Sequence, residues 1–527
     1  MTPALVLALA MAQSSGALPP RAPAWREGGP GAQARQALLL LADEDVEGAR
    51  ALLEPLLAGQ AGEPLVSLAG GVLRFHEQRY DEAVALLESA GAGDEPDGPL
   101  EMARAAREVT RNHVRVESAH FVVSVPKGKD EVLVPYVLDA LERQRAALAE
   151  DLGWVPPGKV AVEFLNGVKD LARVSPLTEA EIRTSGTIAL CKFDKLAIVS
   201  PKALLKGYDW LDTAAHEYTH HVVTRLTRNR APIWLHEGIA KWSETRWRGT
   251  GGESFSPLAA ALIRSAVAKG NLVTFEEMHP SMARLPSQER AALAFAEVVL
   301  AVELLVKQGG PRAIARVLEQ VAAGTSAEQA VARTLGTSFE RFEADWRRHL
   351  AARPLPRGGE HELRKLRFRD DPRQGGEWAE WSEIPDPRAR GFARLGEIMR
   401  VRGRLAAARV EYGKALAMAG ARVPILSVQF AVTAAGSGRQ EEAERALGEA
   451  LDWNPDYAAL NVQVARLLLA RGEHARARDH LQRANRQDPF DPEIHAGLAL
   501  ALEALGDSAG AERERGFARI LAGPGHP

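Results

Sequence analysis

The chain has 527 residues, more than one hydrophobic core accommodates, so about two to four domains are expected. Hydrophobic residues at 46% and charged residues at 26% are the proportions of a soluble globular protein, and a net charge of −3 gives no electrostatic basis for binding nucleic acid or a membrane surface. Aromatic residues make up only 6%, which favours helix over sheet, and a single cysteine, Cys191, excludes an intrachain disulfide.

The first element is Ala4–Ala12, an apolar stretch of nine residues, too short to span a bilayer but of the length of a signal-peptide core. Ala10-Met11-Ala12 offers a small-residue cleavage site, although only the amino terminus supplies positive charge ahead of it. Residues 1–12 are therefore expected to be a signal peptide and the product periplasmic or secreted, a cytoplasmic protein being the alternative. No later segment is apolar enough for a membrane span. Residues 30–112 then read as helical: Asp45–Leu53 and Tyr80–Leu87 share a pattern in which Ala49 and Ala83 lie 34 residues apart.

Between 113 and 352 the pattern changes to that of an α+β domain. His120–Val125 and Val160–Leu165 have strand character, Lys129–Leu152 is helical, and Gly186–Ser200 is a hairpin of two strands. Cys191 lies in an apolar run of that hairpin and reads as a buried structural thiol. A helix beginning at Asp209 or Asp212 carries His216-Glu217-Tyr218-Thr219-His220, and a second helix spans Ile233–Thr245 after the break at Arg230-Ala231-Pro232. His216 and His220 are one helical turn apart, so both imidazoles can reach one ion, and Glu217 between them is placed to take a proton from water. Glu237, 17 residues after His220, supplies a third ligand. Two His, one Glu and an open fourth position are the donor set of a catalytic Zn2+ site. His221 and His236 neighbour these residues in sequence, but an adjacent helical position is rotated by about 100°, so both are expected to face elsewhere. Helices follow near 256–270, 287–308, 311–323, 326–335 and 338–351, and residues 353–389, rich in Pro, Gly and charge, read as a linker.

The last 390–522 contain four copies of one unit. Gly403, Gly438, Gly472 and Gly506 are 35, 34 and 34 residues apart, each followed by an alanine at Ala408, Ala443, Ala477 or Ala511. A helix–turn–helix of this period, with small residues where helices meet, is the tetratricopeptide signature.

Residues 117–350 resemble the gluzincin metallopeptidases, specifically the bacterial peptidase-MA-like proteins that carry tetratricopeptide repeats. The resemblance rests on His120–Val125, Asp151–Trp154, Ser185–Ala189, Val199–Pro201, HEYTH and Pro232–Ala240. It implies Zn2+ held by His216, His220 and Glu237, with Glu217 as general base. It also implies that Gly186, Thr187, Ile188 and Ala189 form an edge strand along which an extended substrate backbone pairs. Two positions depart from the family pattern. Phe295 stands where the family often has an oxyanion-stabilising Tyr, leaving Tyr208 and Tyr218 as nearby hydroxyls, with Tyr218 facing away inside its helix. Lys241 stands where an acid commonly supports a ligand His, a role that falls to Glu244.

These readings combine into an α+β, gluzincin-type metallopeptidase domain flanked by all-α tetratricopeptide-like repeats. The expected activity is zinc-dependent peptide hydrolysis, with the repeats recruiting a protein partner or substrate. The alternative is a weakly active or inactive zinc-binding scaffold that works through its repeats in envelope complex assembly.

Overall fold

The computed structural model describes residues 29–59, 63–93, 98–249, 257–279, 282, 285–352, 366–370 and 380–523. The expected signal peptide and most of the expected linker lie outside the described residues. The chain forms two compact units, one of Met1–Lys127, Val134–Val199 and Leu211–Lys365, the other of Gly128–Leu133, Ser200–Trp210 and Leu366–Pro527.

Among the described residues the first unit opens with five helices: α1 (Pro30–Ala42), α2 (Val46–Gly59), α3 (Pro64–His76), α4 (Tyr80–Ser89) and α5 (Pro99–Thr110). Proline opens α1, α3 and α5, where its missing N–H has no intrahelical partner to lose. Ala49 and Ala83, the paired alanines of the repeat pattern, are fully buried between helices. A five-stranded sheet follows, ordered β1-β2-β3-β5-β4, from β1 (His113–Glu117), β2 (Phe121–Pro126), β3 (Val160–Leu165), β4 (Ala189–Lys192) and β5 (Lys195–Val199). Strand β3 is central, parallel to both β2 and β5, and buried along its whole length, which its sequence Val-Ala-Val-Glu-Phe-Leu suits. Its one charge, Glu163, is matched by Lys195 Nζ at 2.7 Å and by the Tyr80 hydroxyl, all three buried. Strand β4 pairs antiparallel with β5 and is an edge of the sheet. The two residues that turn the chain between them, Phe193 and Asp194, have φ of 57° and 56°. That is the twist a two-residue hairpin needs, at about 1–2 kcal/mol for each non-glycine residue.

Helix α6 (Val134–Leu152) crosses from β2 to β3, while α7 (Val168–Arg173) and α8 (Glu179–Ser185) lie between β3 and β4. The two central helices are α9 (Trp210–Thr227) and α10 (Ile233–Ser243). They are followed by α11 (Pro257–Lys269), α12 (Gln288–Gly309), α13 (Ala313–Ala322), α14 (Ala327–Leu335) and α15 (Phe339–Ala352). Periodicity did not single out β1, α7 or α8. The charged alternate residues of β1 and the short lengths of α7 and α8 leave little apolar pattern to read. The segment expected to be helical from Lys129 begins as a 3-10 turn, Lys129–Leu133, before α6.

The second unit is built on four antiparallel helix pairs: α16 (Pro387–Val401) with α17 (Leu405–Ala419), α18 (Pro424–Gly436) with α19 (Gln440–Trp453), α20 (Ala458–Ala470) with α21 (His474–Gln487), and α22 (Pro492–Ala504) with α23 (Ser508–Ala522). The periodic glycines sit in the intrapair turns, all at φ between 70° and 86°, and the periodic alanines are buried where the helices cross. Helix α16 starts inside the expected linker because the Asp386 carboxylate accepts from the N–H groups of Arg388 and Ala389 and caps it. Residues 128–133 and 200–210 also belong to this unit, although their position in sequence placed them in the α+β domain. Their groups find partners here: Lys202 pairs with Asp130, Leu205 N–H donates to Arg367 O, and Tyr208 N–H donates to Gln487 O.

Candidate metal centre

Helix α9 is buried on one side by Ala214, Ala215, Tyr218, Val222 and Val223, with the Tyr218 ring edge-on to Phe121 of β2 at 5.0 Å. Tyr218 thus packs into the core and its hydroxyl is buried, away from the face that carries the histidines. His216 and His220 emerge together on another face, ring centroids 4.6 Å apart. The helix ends at Thr227; Arg228 and Asn229 take positive φ, and Asn229 N–H donates to Thr224 O. Pro232 then opens α10. Gly238 lets α10 lie directly against α12: a Cβ there would stand 2.9 Å from Val298 O. That packing delivers Glu237 to the two imidazoles.

Glu237 Oε2 is 3.3 Å from His216 Nε2 and 3.2 Å from His220 Nε2, and the ligand atoms of all three residues lie within 4.8 Å of one another. Zinc bonds of about 2.0–2.1 Å in tetrahedral geometry require ligand atoms roughly 3.3 Å apart, so the donor set fits the ion in spacing as well as in chemistry. The hydrogen bonds behind the cluster fit too. For both Nε2 atoms to serve as donors to a metal, both Nδ1 atoms must carry the hydrogen. His216 Nδ1 then donates to Glu244 Oε2 at 3.2 Å, and His220 Nδ1 donates to His236 Nδ1 at 2.6 Å. His236 in turn donates from Nε2 to Thr224 Oγ1 at 3.1 Å.

His236 was expected to face elsewhere, and this is corrected. It is adjacent to Glu237 on its own helix, but the crossing of α9 over α10 brings His220 to the side it faces. His221 is buried beneath, its ring stacked on Tyr218 and 3.8 Å from Asp194. Lys241 Nζ is 2.5 Å from Glu244 Oε1, so the carboxylate that supports His216 is shared with a cation.

Burial alone would lower His216, yet its hydrogen bonds to Glu237 and Glu244 hold it up at about 10. Burial would raise Glu237, but the imidazoles of His220 and His216 hold its carboxyl well below the usual range. Glu217 moves the other way: burial pushes it up, partly offset by His220 and His216. Burial, helped by His220, drives His236 down to about 3, leaving it neutral and able to accept the His220 hydrogen bond.

The edge strand also needs correction. Gly186 and Thr187 are not in a strand: Gly186 closes α8 in the left-handed conformation, and the N–H groups of both residues donate to Ile182 O. Pairing with β5 begins at the Ile188 carbonyl, and Ala189 is the first residue of β4. The edge faces the site through Cys191, whose backbone favours the charged form of the Glu217 carboxylate. The Cys191 thiol is half-buried and free, and burial pushes its pKa well up. Phe295, on α12, lies 6.4 Å from His216 ring to ring and offers no hydroxyl. Tyr208 belongs to the other compact unit, where its side chain is buried.

Gln144 of α6 was not singled out by its sequence, though it ties this centre together. Its amide donates to Thr219 Oγ1 and Ser243 O and accepts from Trp247 N–H, joining α6 to α9 and to the end of α10.

Comparison with known families agrees with this architecture. A model of the peptidase MA superfamily matches residues 146–352, and a tetratricopeptide-repeat model matches residues 434–512. The chain thus carries a segment similar to the peptidase MA superfamily and, after it, a segment similar to tetratricopeptide repeats. No curated protein matches it. Among solved structures it is similar to yeast LTA4 hydrolase in complex with bestatin, at 10% identity over 77% of this chain and 67% of that one, with a TM-score of 0.31. Native leukotriene A4 hydrolase from Saccharomyces cerevisiae gives 11%, 78%, 67% and 0.30. The APC/C hetero-tetramer Cut9-Hcn1 gives 12% identity over 93% of this chain and 79% of that one, with a TM-score of 0.27.

Proposed function

We propose that this protein is a zinc-dependent peptide hydrolase whose repeats recruit a protein partner or substrate. The observation that carries the reading is the juxtaposition of the His216–His220–Glu237 donor set, with Glu237 3.2–3.3 Å from both imidazoles, and Glu217, a buried carboxylate one residue from a ligand. A bound zinc ion would supply Lewis acidity toward a peptide carbonyl and acidify water. Glu217 accepts the proton that water loses and returns it to the leaving amine. Its raised affinity for protons, set by burial, suits both halves of that exchange. The Cys191 backbone favours the charged carboxylate, while Glu244 and His236 hold the two imidazoles in the tautomer that leaves Nε2 free.

The second reading, a poorly catalytic zinc-binding scaffold, is favoured by one observation: Phe295 borders His216 without a donor for an oxyanion. Loss of one such donor lowers rate by about 10²–10³-fold. The deciding experiment measures zinc stoichiometry and cleavage of a quenched-fluorescent peptide library by wild type, Glu217→Gln and Glu237→Ala. The hydrolase reading expects Glu217→Gln to keep zinc and lose cleavage, and Glu237→Ala to lose both. Equal cleavage by wild type and Glu217→Gln would overturn it; zinc binding without any cleavage supports the scaffold.

The Ala4–Ala12 stretch supports export to the periplasm or beyond, tested by whether the mature protein begins at Gln13. Among the described residues no helix is long and apolar enough to cross a membrane.

A further inference from the structure

The α1–α2 turn reaches the β4–β5 hairpin through one side chain. Glu44, buried and itself at φ 60°, accepts hydrogen bonds from the backbone N–H groups of Phe193 at 3.4 Å and Asp194 at 3.1 Å. It also pairs with Lys192 Nζ at 2.9 Å. These are the hairpin's two positive-φ residues and the last residue of β4. The tip is held from two further sides. The Phe193 ring packs edge-on against Phe75 and His76 at 5.2 and 5.4 Å. Arg225, in the last turn of α9, donates to Glu44 O and Asp194 Oδ1, both at 3.4 Å, and pairs with Glu47. Below the tip, Tyr80 of α4 is locked to Lys195 and Glu163, so the N-terminal helices grip the hairpin at its turn and at the start of β5.

The other end of this chain of contacts is the chemistry. Strand β4 is a sheet edge with a neighbour on one side only, and its backbone at Cys191 favours the charged form of Glu217. A short edge strand fixed by four residue pairs to β5 depends on its turn for register.

We propose that the N-terminal helices are a built-in part of the hydrolytic centre, and that Glu44 is a positioning residue which sets the β4–β5 hairpin and, through Arg225, its place beside the helix that carries Glu217. The helical region before the sheet thus acts on the site from inside the same unit, and only the link to Glu217 as base rests on the hydrolase reading. Detaching these helices would disarm the centre without touching a ligand.

The test uses the full chain as wild type, Glu44→Ala, Glu44→Gln and the control Glu54→Gln, a half-exposed partner of Arg74 on α2. Backbone hydrogen–deuterium exchange over 189–199 and over α9 is measured with zinc bound, beside zinc stoichiometry and kcat and KM on the peptide library. Loss of two hydrogen bonds and an ion pair at one turn should speed hairpin exchange by roughly tenfold or more in Glu44→Ala. Glu44→Gln, which keeps an acceptor but not the charge, should restore part of the protection, while α9 exchange and zinc content stay at wild-type values and Glu54→Gln changes nothing. kcat should fall in the same order with KM little moved. Hairpin exchange unchanged in Glu44→Ala would overturn the proposal, as would acceleration spread evenly over hairpin and α9, which marks a general loss of stability. If zinc-loaded wild type cleaves nothing, the hydrolase reading fails, and the exchange comparison still decides whether Glu44 holds the hairpin.

Discussion

Replacing Gly238 by alanine adds one methyl group next to Glu237 and tests whether the α10–α12 crossing sets the metal geometry. The new Cβ would lie 2.8 Å from Val302 Cγ2 and 2.9 Å from Val298 O. The valine methyl can turn aside, but the carbonyl belongs to a helix backbone and cannot. Restoring an ordinary contact of about 3.4 Å means parting the helices by about 0.5 Å at this point. Overpacking of this kind costs about 1–3 kcal/mol, against about 1 kcal/mol returned by the better helix propensity of alanine. The net loss of fold stability is therefore small, on the order of 1 kcal/mol. The metal is less forgiving, because ligand distances tolerate only about 0.2 Å. Gly238→Ala should weaken zinc binding by roughly tenfold or more, about 1.4 kcal/mol, read by competition with a chromophoric chelator. Urea unfolding of the same protein supplies the stability term. A variant with wild-type zinc affinity would refute the claim that this crossing delivers Glu237.

Two further outcomes follow from the buried groups. His236→Leu removes the acceptor for His220 Nδ1–H and should weaken zinc affinity about 10–100-fold, with His236→Asn restoring part of it; unchanged affinity in the leucine variant would remove His236 from the site. Glu297 of α12 is fully buried and its pKa is raised by burial to about 8, although it accepts from Val273 N–H. A carboxyl whose folded pKa lies above its unfolded value favours the folded state only while protonated, so its contribution falls as pH rises from about 4.5 through 8, by on the order of 5 kcal/mol. Melting temperatures of wild type and Glu297→Gln should diverge over that window, the variant losing less, and parallel curves would contradict the assignment.

Much of the site was legible because it is local. The i, i+4 spacing of His216 and His220 needs only a helix, and Glu217 between them needs only the same turn. The 34-residue period of the repeats is equally local, since each unit repeats the glycine turn and alanine contact of the last. The β4–β5 hairpin was visible in the sequence, but its first residues were not, because Gly186 reads equally as strand glycine or helix cap until the α8 carbonyls are in place.

The sequence by itself determined most of the elements and which residues carry ligand chemistry, because helix period, strand alternation and turn residues are short-range properties. Only the tertiary structure decided how those residues meet. Glu237 is brought within 3.3 Å of both imidazoles by a helix crossing that depends on Gly238 and α12. His236 turns from a bystander into the partner of His220 by the same crossing, and Glu44, about 150 residues from the hairpin, becomes its clamp through packing alone. Contacts of that range leave no periodic trace in a chain, since either partner could be exchanged for another residue without altering the local pattern around it.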